Sequence, residues 1–137
     1  LPRHSEETRF CHALGFDANR FAMNRDRLYL LKPHFMDGDK GPYYCPHCAQ
    51  LVGLMEFYPT LKGQLEVRWL DFPRPRAELV ALLGDENQSC PVLVLAHAPS
   101  SSLAALPLRQ ARGRWFVEGA EEIATYLARV HGTGLPH

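Results

Sequence analysis

Apolar residues in this chain fall into short blocks separated by proline, glycine and polar residues, and most blocks carry a readable period. Leu28-Tyr29-Leu30-Leu31, closed by Lys32-Pro33, reads as a buried strand ending where proline removes a ladder donor. His34–Tyr44 is rich in glycine and proline and reads as a loop. Beyond Cys45 the apolar positions Leu51, Leu54, Met55 and Tyr58 recur at helical spacing until Pro59, which predicts a helix of about three turns. Leu65–Leu70, with β-branched and aromatic residues in partial alternation, predicts a second strand. Arg76–Leu83 suits a short helix capped by Gly84, and Asp85–Ser89 a polar loop. Pro91–Leu95 predicts a central third strand that opens with proline. Ala98–Gln110 reads as an irregular connector and Arg114–Val117 as a fourth strand. Ile123, Ala124, Leu127 and Val130 form the apolar stripe of a last helix ending at Gly132.

The predicted order is β-α-β-α-β-β-α, an α/β fold with a mixed four-stranded sheet flanked by helices. Alternation of the first five elements asks for crossover connections and parallel strands, while the short last link permits an antiparallel pair. At 137 residues one domain is expected, spanning residues 28–132. Residues 1–27, which include an isolated Cys11, read as an N-terminal extension or tag remnant, with Met23 as the other candidate start of the core. Residues 133–137 read as a tail. Fifteen basic residues balance fifteen acidic ones, so the overall basic field of a nucleic-acid binder is missing. The longest apolar run, Pro91–Ala96, is far short of the roughly 20 residues a spanning helix needs. Leu1–Arg27 has no apolar block of a secretory signal, and the four cysteines are too unevenly spaced for a disulfide framework. A cytoplasmic protein without membrane or nucleic-acid partners is the expectation.

The chemistry concentrates in Cys45-Pro46-His47-Cys48. Thiol-disulfide exchange runs through a thiolate, and a helix N-terminus favours an anion at Cys45 through its unpaired N–H groups and dipole. Pro46 suits the first helical position, where its missing N–H is not needed. His47 adds positive charge when protonated. The two-residue spacing returns Cys48 to the same helix face, within reach of a mixed disulfide at Cys45. The spacing also suits half of a zinc site, although no second Cys-x-x-Cys supplies the remaining ligands, and a functionally idle pair is the third reading. Tyr43 and Tyr44 either flank a peptide or glutathione or simply cover the helix start. Lys32 reads more often as a solvated strand end, and Glu121 and Glu122 have an equally good structural explanation as first-turn carboxylates favoured by the helix dipole. His97 and His131 read as structural, and Arg74-Pro75-Arg76 as a solvated loop.

This order, with Cys-Pro-His-Cys after the first strand and Pro91 opening the third, resembles the thioredoxin superfamily, most closely its glutaredoxin-sized members, over about residues 28–132. The stretches 44–54, 73–83 and 86–95 also resemble a small uncharacterised bacterial family of thioredoxin-like proteins. The resemblance implies a thioredoxin-like fold and a disulfide oxidoreductase in which Cys45 attacks, Cys48 resolves and a cis Pro91 faces the pair. It implies substrate contacts at Tyr44, Cys90 and Pro91, and glutathione-holding roles for Lys32 and for Gly119-Ala120-Glu121-Glu122, with glutathione as a co-substrate and no resident cofactor. Partners are then protein or small-molecule thiols and disulfides. Cys90, placed beside the pair by Pro91, reads as a small core residue, as a third redox thiol, or as a ligand for zinc or an iron–sulfur cluster shared across a dimer. A non-catalytic binding module using the groove between Tyr44, Cys90-Pro91 and Glu121 is the other functional reading.

Overall fold

The computed structural model describes residues 23–137; the expectations for residues 1–22, Cys11 among them, lie outside the described residues. Strand β1 (Asp26–Leu31) sends alternate side chains to opposite faces, as a strand with two covered faces must. Leu28 and Leu30 enter one apolar layer with Leu93, Val117, Leu51, Met55, Ile123 and Leu127. Tyr29 enters the other, with Val92, Val94, Phe116, Leu79, Leu82 and Leu83. The sheet is therefore the middle of three layers. Helices α1 (Pro46–Phe57) and α4 (Ala120–His131) cover the first face, and α3 (Ala77–Leu83) covers the second. Each fully buried leucine contributes roughly 2 kcal/mol relative to exposure.

Among the described residues the main sheet has five strands, not the four expected, in the order β4 (Leu65–Leu70), β1, β5 (Val92–Val94), β7 (Arg114–Glu118), β6 (Arg109–Ala111). Strand β4 (Leu65–Leu70) runs parallel to β1, register Asp26–Leu65 to Leu31–Leu70. Strand β5 (Val92–Val94) runs antiparallel to β1, which corrects the expectation of parallel strands throughout the alternating segment. The additional strand, β6 (Arg109–Ala111), comes from the supposed connector and pairs antiparallel with β7 (Arg114–Glu118). It is a polar edge strand, so it shows no apolar period to read. The Gly/Pro-rich segment before Cys45 is likewise not plain loop. Strands β2 (Phe35–Asp37) and β3 (Lys40–Tyr43) form a separate hairpin, anchored where Phe35 stacks on Phe72 at 4.4 Å between centroids. A short helix α2 (Leu61–Gln64) precedes β4, and Met23 is buried against Tyr29 and Phe116.

Candidate functional site

Helix α1 begins as its sequence asks. Cys45 is its N-cap in extended conformation, Pro46 takes the first turn, and the Cys45 Sγ accepts the backbone N–H of Cys48 at 3.2 Å. That hydrogen bond replaces the hydroxyl or carboxylate usual at an N-cap with a sulfur. One turn on, Cys48 points into the core, and its Sγ accepts the Leu31 N–H at the end of β1, 3.4 Å away. Cys45 and Cys90 are partly exposed, and all three thiols are free. Cys90 precedes Pro91 through a cis peptide, as do Gly41 before Pro42 and Arg74 before Pro75.

Two clefts open beside the Cys45-Pro46-His47-Cys48 segment. One, about 260 Å³, is apolar and is lined by Pro33, Tyr44, Val52 and Trp69 together with both cysteines. The other, about 510 Å³, is lined by His47, Gln50, Cys90, Pro91, Glu118 and the first turn of α4 with Glu121 and Glu122. The structure thus gathers Tyr44, Cys45 and Cys48 on one side, and His47, Cys90, Pro91 and Glu121 on the other. Lys32 lies outside both and pairs with Asp71 at 3.1 Å on the surface. Gly119 must be glycine, since its φ is +95° and an added Cβ would strike the Glu122 carboxylate folded back over it.

Two residues near the site were not singled out from the sequence in these roles. Trp69 sits 44% exposed on the edge strand and walls the apolar cleft; an outward aromatic on a strand was the available signal. Arg76, expected in a solvated loop, is 7% exposed. It is held in because its guanidinium donates to the Phe72 and Gln88 carbonyls, at 2.7 and 2.6 Å, while its N–H donates to Gln88 Oε1. No sequence period marks such a contact.

Burial pushes the Cys48 thiol up to about 12, with a hydrogen bond to Cys45 adding to the shift and the Leu31 N–H opposing it. Burial also pushes Cys90 up to about 11, Arg76 pulling the other way. Tyr29 and Tyr126, likewise buried, rise to about 12. Because these folded values lie above the unfolded ones, 9.0 for the thiols and 10.0 for the phenols, their contribution is whole below about pH 9 and is lost as pH rises towards 12. The midpoint of thermal unfolding is therefore expected to hold between pH 7 and 8 and to fall progressively above pH 9. A midpoint unchanged to pH 11 would contradict this assignment of neutral buried groups.

Residues 25–135 match the family model DUF3088, described as a protein of unknown function. The chain belongs to that family. Comparison of this DUF3088 chain with curated proteins and with solved structures gives no match. Membership of an uncharacterised family agrees with that part of the sequence reading, whereas no thioredoxin family model matches, and the membership brings no activity with it. Among the described residues no helix is long and apolar enough to cross a membrane, and no group of three or more His, Cys, Asp and Glu side chains is arranged to hold a metal ion.

Proposed function

We propose that this DUF3088 chain is a cytoplasmic thiol-disulfide oxidoreductase of thioredoxin-like fold that works through Cys45 and Cys48. The observation that carries the reading is the placement of the two sulfurs: a partly exposed thiol caps a helix N-terminus, and a second, buried thiol lies one turn below it. The strand order β4-β1-β5-β7, with β1 parallel to β4 and the Cys-Pro-His-Cys helix following β1 after a hairpin, supports the thioredoxin-like assignment.

Cys45 attacks a substrate disulfide, releases one thiolate and holds the other half as a mixed disulfide. Cys48 attacks the Cys45 sulfur, expels the second thiolate and leaves the intramolecular disulfide, which an external thiol or dithiol reduces. Tyr44 on one flank, and Cys90, Pro91 and Glu121 on the other, form the substrate walls. His47 and Pro46 shape the helix start, and Lys32 lies at the margin, where a glutathione carboxylate would have to displace Asp71.

Equilibration in thiol–disulfide buffers followed by maleimide trapping tests the reading. The Cys45–Cys48 pair is expected to titrate as a two-electron couple between about −270 and −120 mV. A protein whose two thiols stay reduced across that whole span is not a disulfide oxidoreductase.

A further inference from the structure

Three thiols meet at the end of β1. In the β1–β5 pairing, Arg27 faces Val94, Leu28 faces Leu93 and Tyr29 faces Val92. Val92 is the first residue of β5, so Cys90, two residues before it, lies beyond the same end of the pairing that Leu31 occupies on β1. The N–H of Leu31 is the group that holds Cys48 Sγ. Cys48 and Cys90 therefore lie at the same end of β1 and pack into the same apolar cluster. Negative charge on Cys45 disfavours charge on Cys90, and charge on Cys90 disfavours it on Cys48, so all three sulfurs share one neighbourhood. Cys48 is sealed in at 3% exposure, whereas Cys90 is partly exposed and opens onto the cleft beside His47.

Arg76 gives an independent indication. Its buried guanidinium donates to the Phe72 and Gln88 carbonyls, its positive charge favours an anion at Cys90, and it has no ion pair with a carboxylate among the described residues. A buried cation without a counter-ion is costly. Burial keeps Cys90 a thiol at rest, and Arg76 offsets part of the cost of the anion that forms as Cys90 attacks.

We propose that Cys90 is a second resolving thiol for Cys45, an inference that rests on the dithiol reading. Once Cys45 holds a mixed disulfide, the Cys90 thiolate attacks the Cys45 sulfur. The Cys45–Cys90 bond forms, the Cys45–substrate bond breaks, and the departing thiolate takes up the proton that Cys90 lost. Two electrons pass from the two protein thiols to the substrate. Attack of Cys48 on Cys45 then frees Cys90 and moves the disulfide to Cys45–Cys48, which an external dithiol reduces.

The experiment uses the full chain carrying Cys11→Ser, so that no fourth thiol competes. In this background Cys48→Ser is treated with one equivalent of the aromatic disulfide 5,5′-dithiobis(2-nitrobenzoate), and coloured thiolate release and protein mass are followed. Release of a second equivalent of thionitrobenzoate, loss of the adduct, and a Cys45–Cys90 crosslinked peptide are expected. Cys48→Ser/Cys90→Ser should stop after one release, with an adduct on Cys45 living at least about tenfold longer. A Cys48→Ser protein that keeps its Cys45 adduct and yields no crosslinked peptide overturns the proposal, and it does so even if the double variant does not fold. That result leaves the dithiol reading standing, because Cys45 has still attacked. Failure of Cys45 to react at all overturns both.

Discussion

Cys45→Ser is expected to lower the rate of disulfide reduction by about two to three orders of magnitude while leaving the fold intact. A hydroxyl is not ionised near neutral pH and cannot displace a thiolate from sulfur, so the first step of the proposed cycle disappears. The fold is spared because Cys45 is a partly exposed N-cap, and serine accepts the Cys48 N–H at least as well as sulfur does. The check is reduction of a small disulfide in the presence of an external dithiol, with the unfolding midpoint measured alongside. Equal rates for variant and wild type would remove the nucleophile from the mechanism, and the two clefts would then belong to a binding module.

The largest expected effect on stability lies on the other side of β1. Arg27 is 2% exposed and donates through Nε to Glu66 at 2.8 Å, and its NH1 lies 3.8 Å from Glu78. Arg68 reaches both carboxylates at 3.3 Å, and the Tyr29 hydroxyl donates to Glu78 at 3.1 Å. Arg27→Met keeps much of the side-chain volume but leaves the two partly buried carboxylates to Arg68, with Arg25 acting on Glu66 from further off. Removing one member of such a network typically costs about 3–5 kcal/mol, a fall of roughly 10 °C or more in the unfolding midpoint of a domain this size. Burial works to raise the Glu66 pKa, but the hydrogen bond and charge of Arg27 outweigh it and hold the carboxyl below its usual 4.5. A lowered carboxyl stabilises above the unfolded pKa and loses that contribution as pH falls through the folded value. The gap between wild type and Arg27→Met should therefore be wide at pH 7 and narrow below about pH 4. A gap that is small at neutral pH would mean that methionine packing compensates for the lost pair.

Elements whose side chains carry a strong period were legible in the sequence. The strands at Leu28–Leu31 and Leu65–Leu70 and the helices at 46–57, 77–83 and 120–131 lie within a residue or two of their expected places. The β2–β3 hairpin and β6 were not, for a common reason. Three- or four-residue strands such as Lys40-Gly41-Pro42-Tyr43 and Arg109-Gln110-Ala111 are exposed along most of their length, so burial imposes no alternation on them. The direction of β5 was hidden for another reason. The link between α3 and β5 is short, and nothing in its residues says whether the chain re-enters the sheet from the top or the bottom. The Cys-Pro-His-Cys motif could be read because proline and cysteine at fixed spacing have local meaning at a helix start. Arg76 could not, since its burial depends on carbonyls four and twelve residues away.

The two clefts have a consequence for chemical probes. Cys45 lines the apolar cleft with Trp69 and Tyr44, while His47, two residues on, lines the cleft whose carboxylates stand at the start of α4. An electrophilic warhead on this thiol gains selectivity from its tail. A flat aromatic tail lies down beside Trp69, while one carrying a carboxylate is turned away by Glu121 and Glu122.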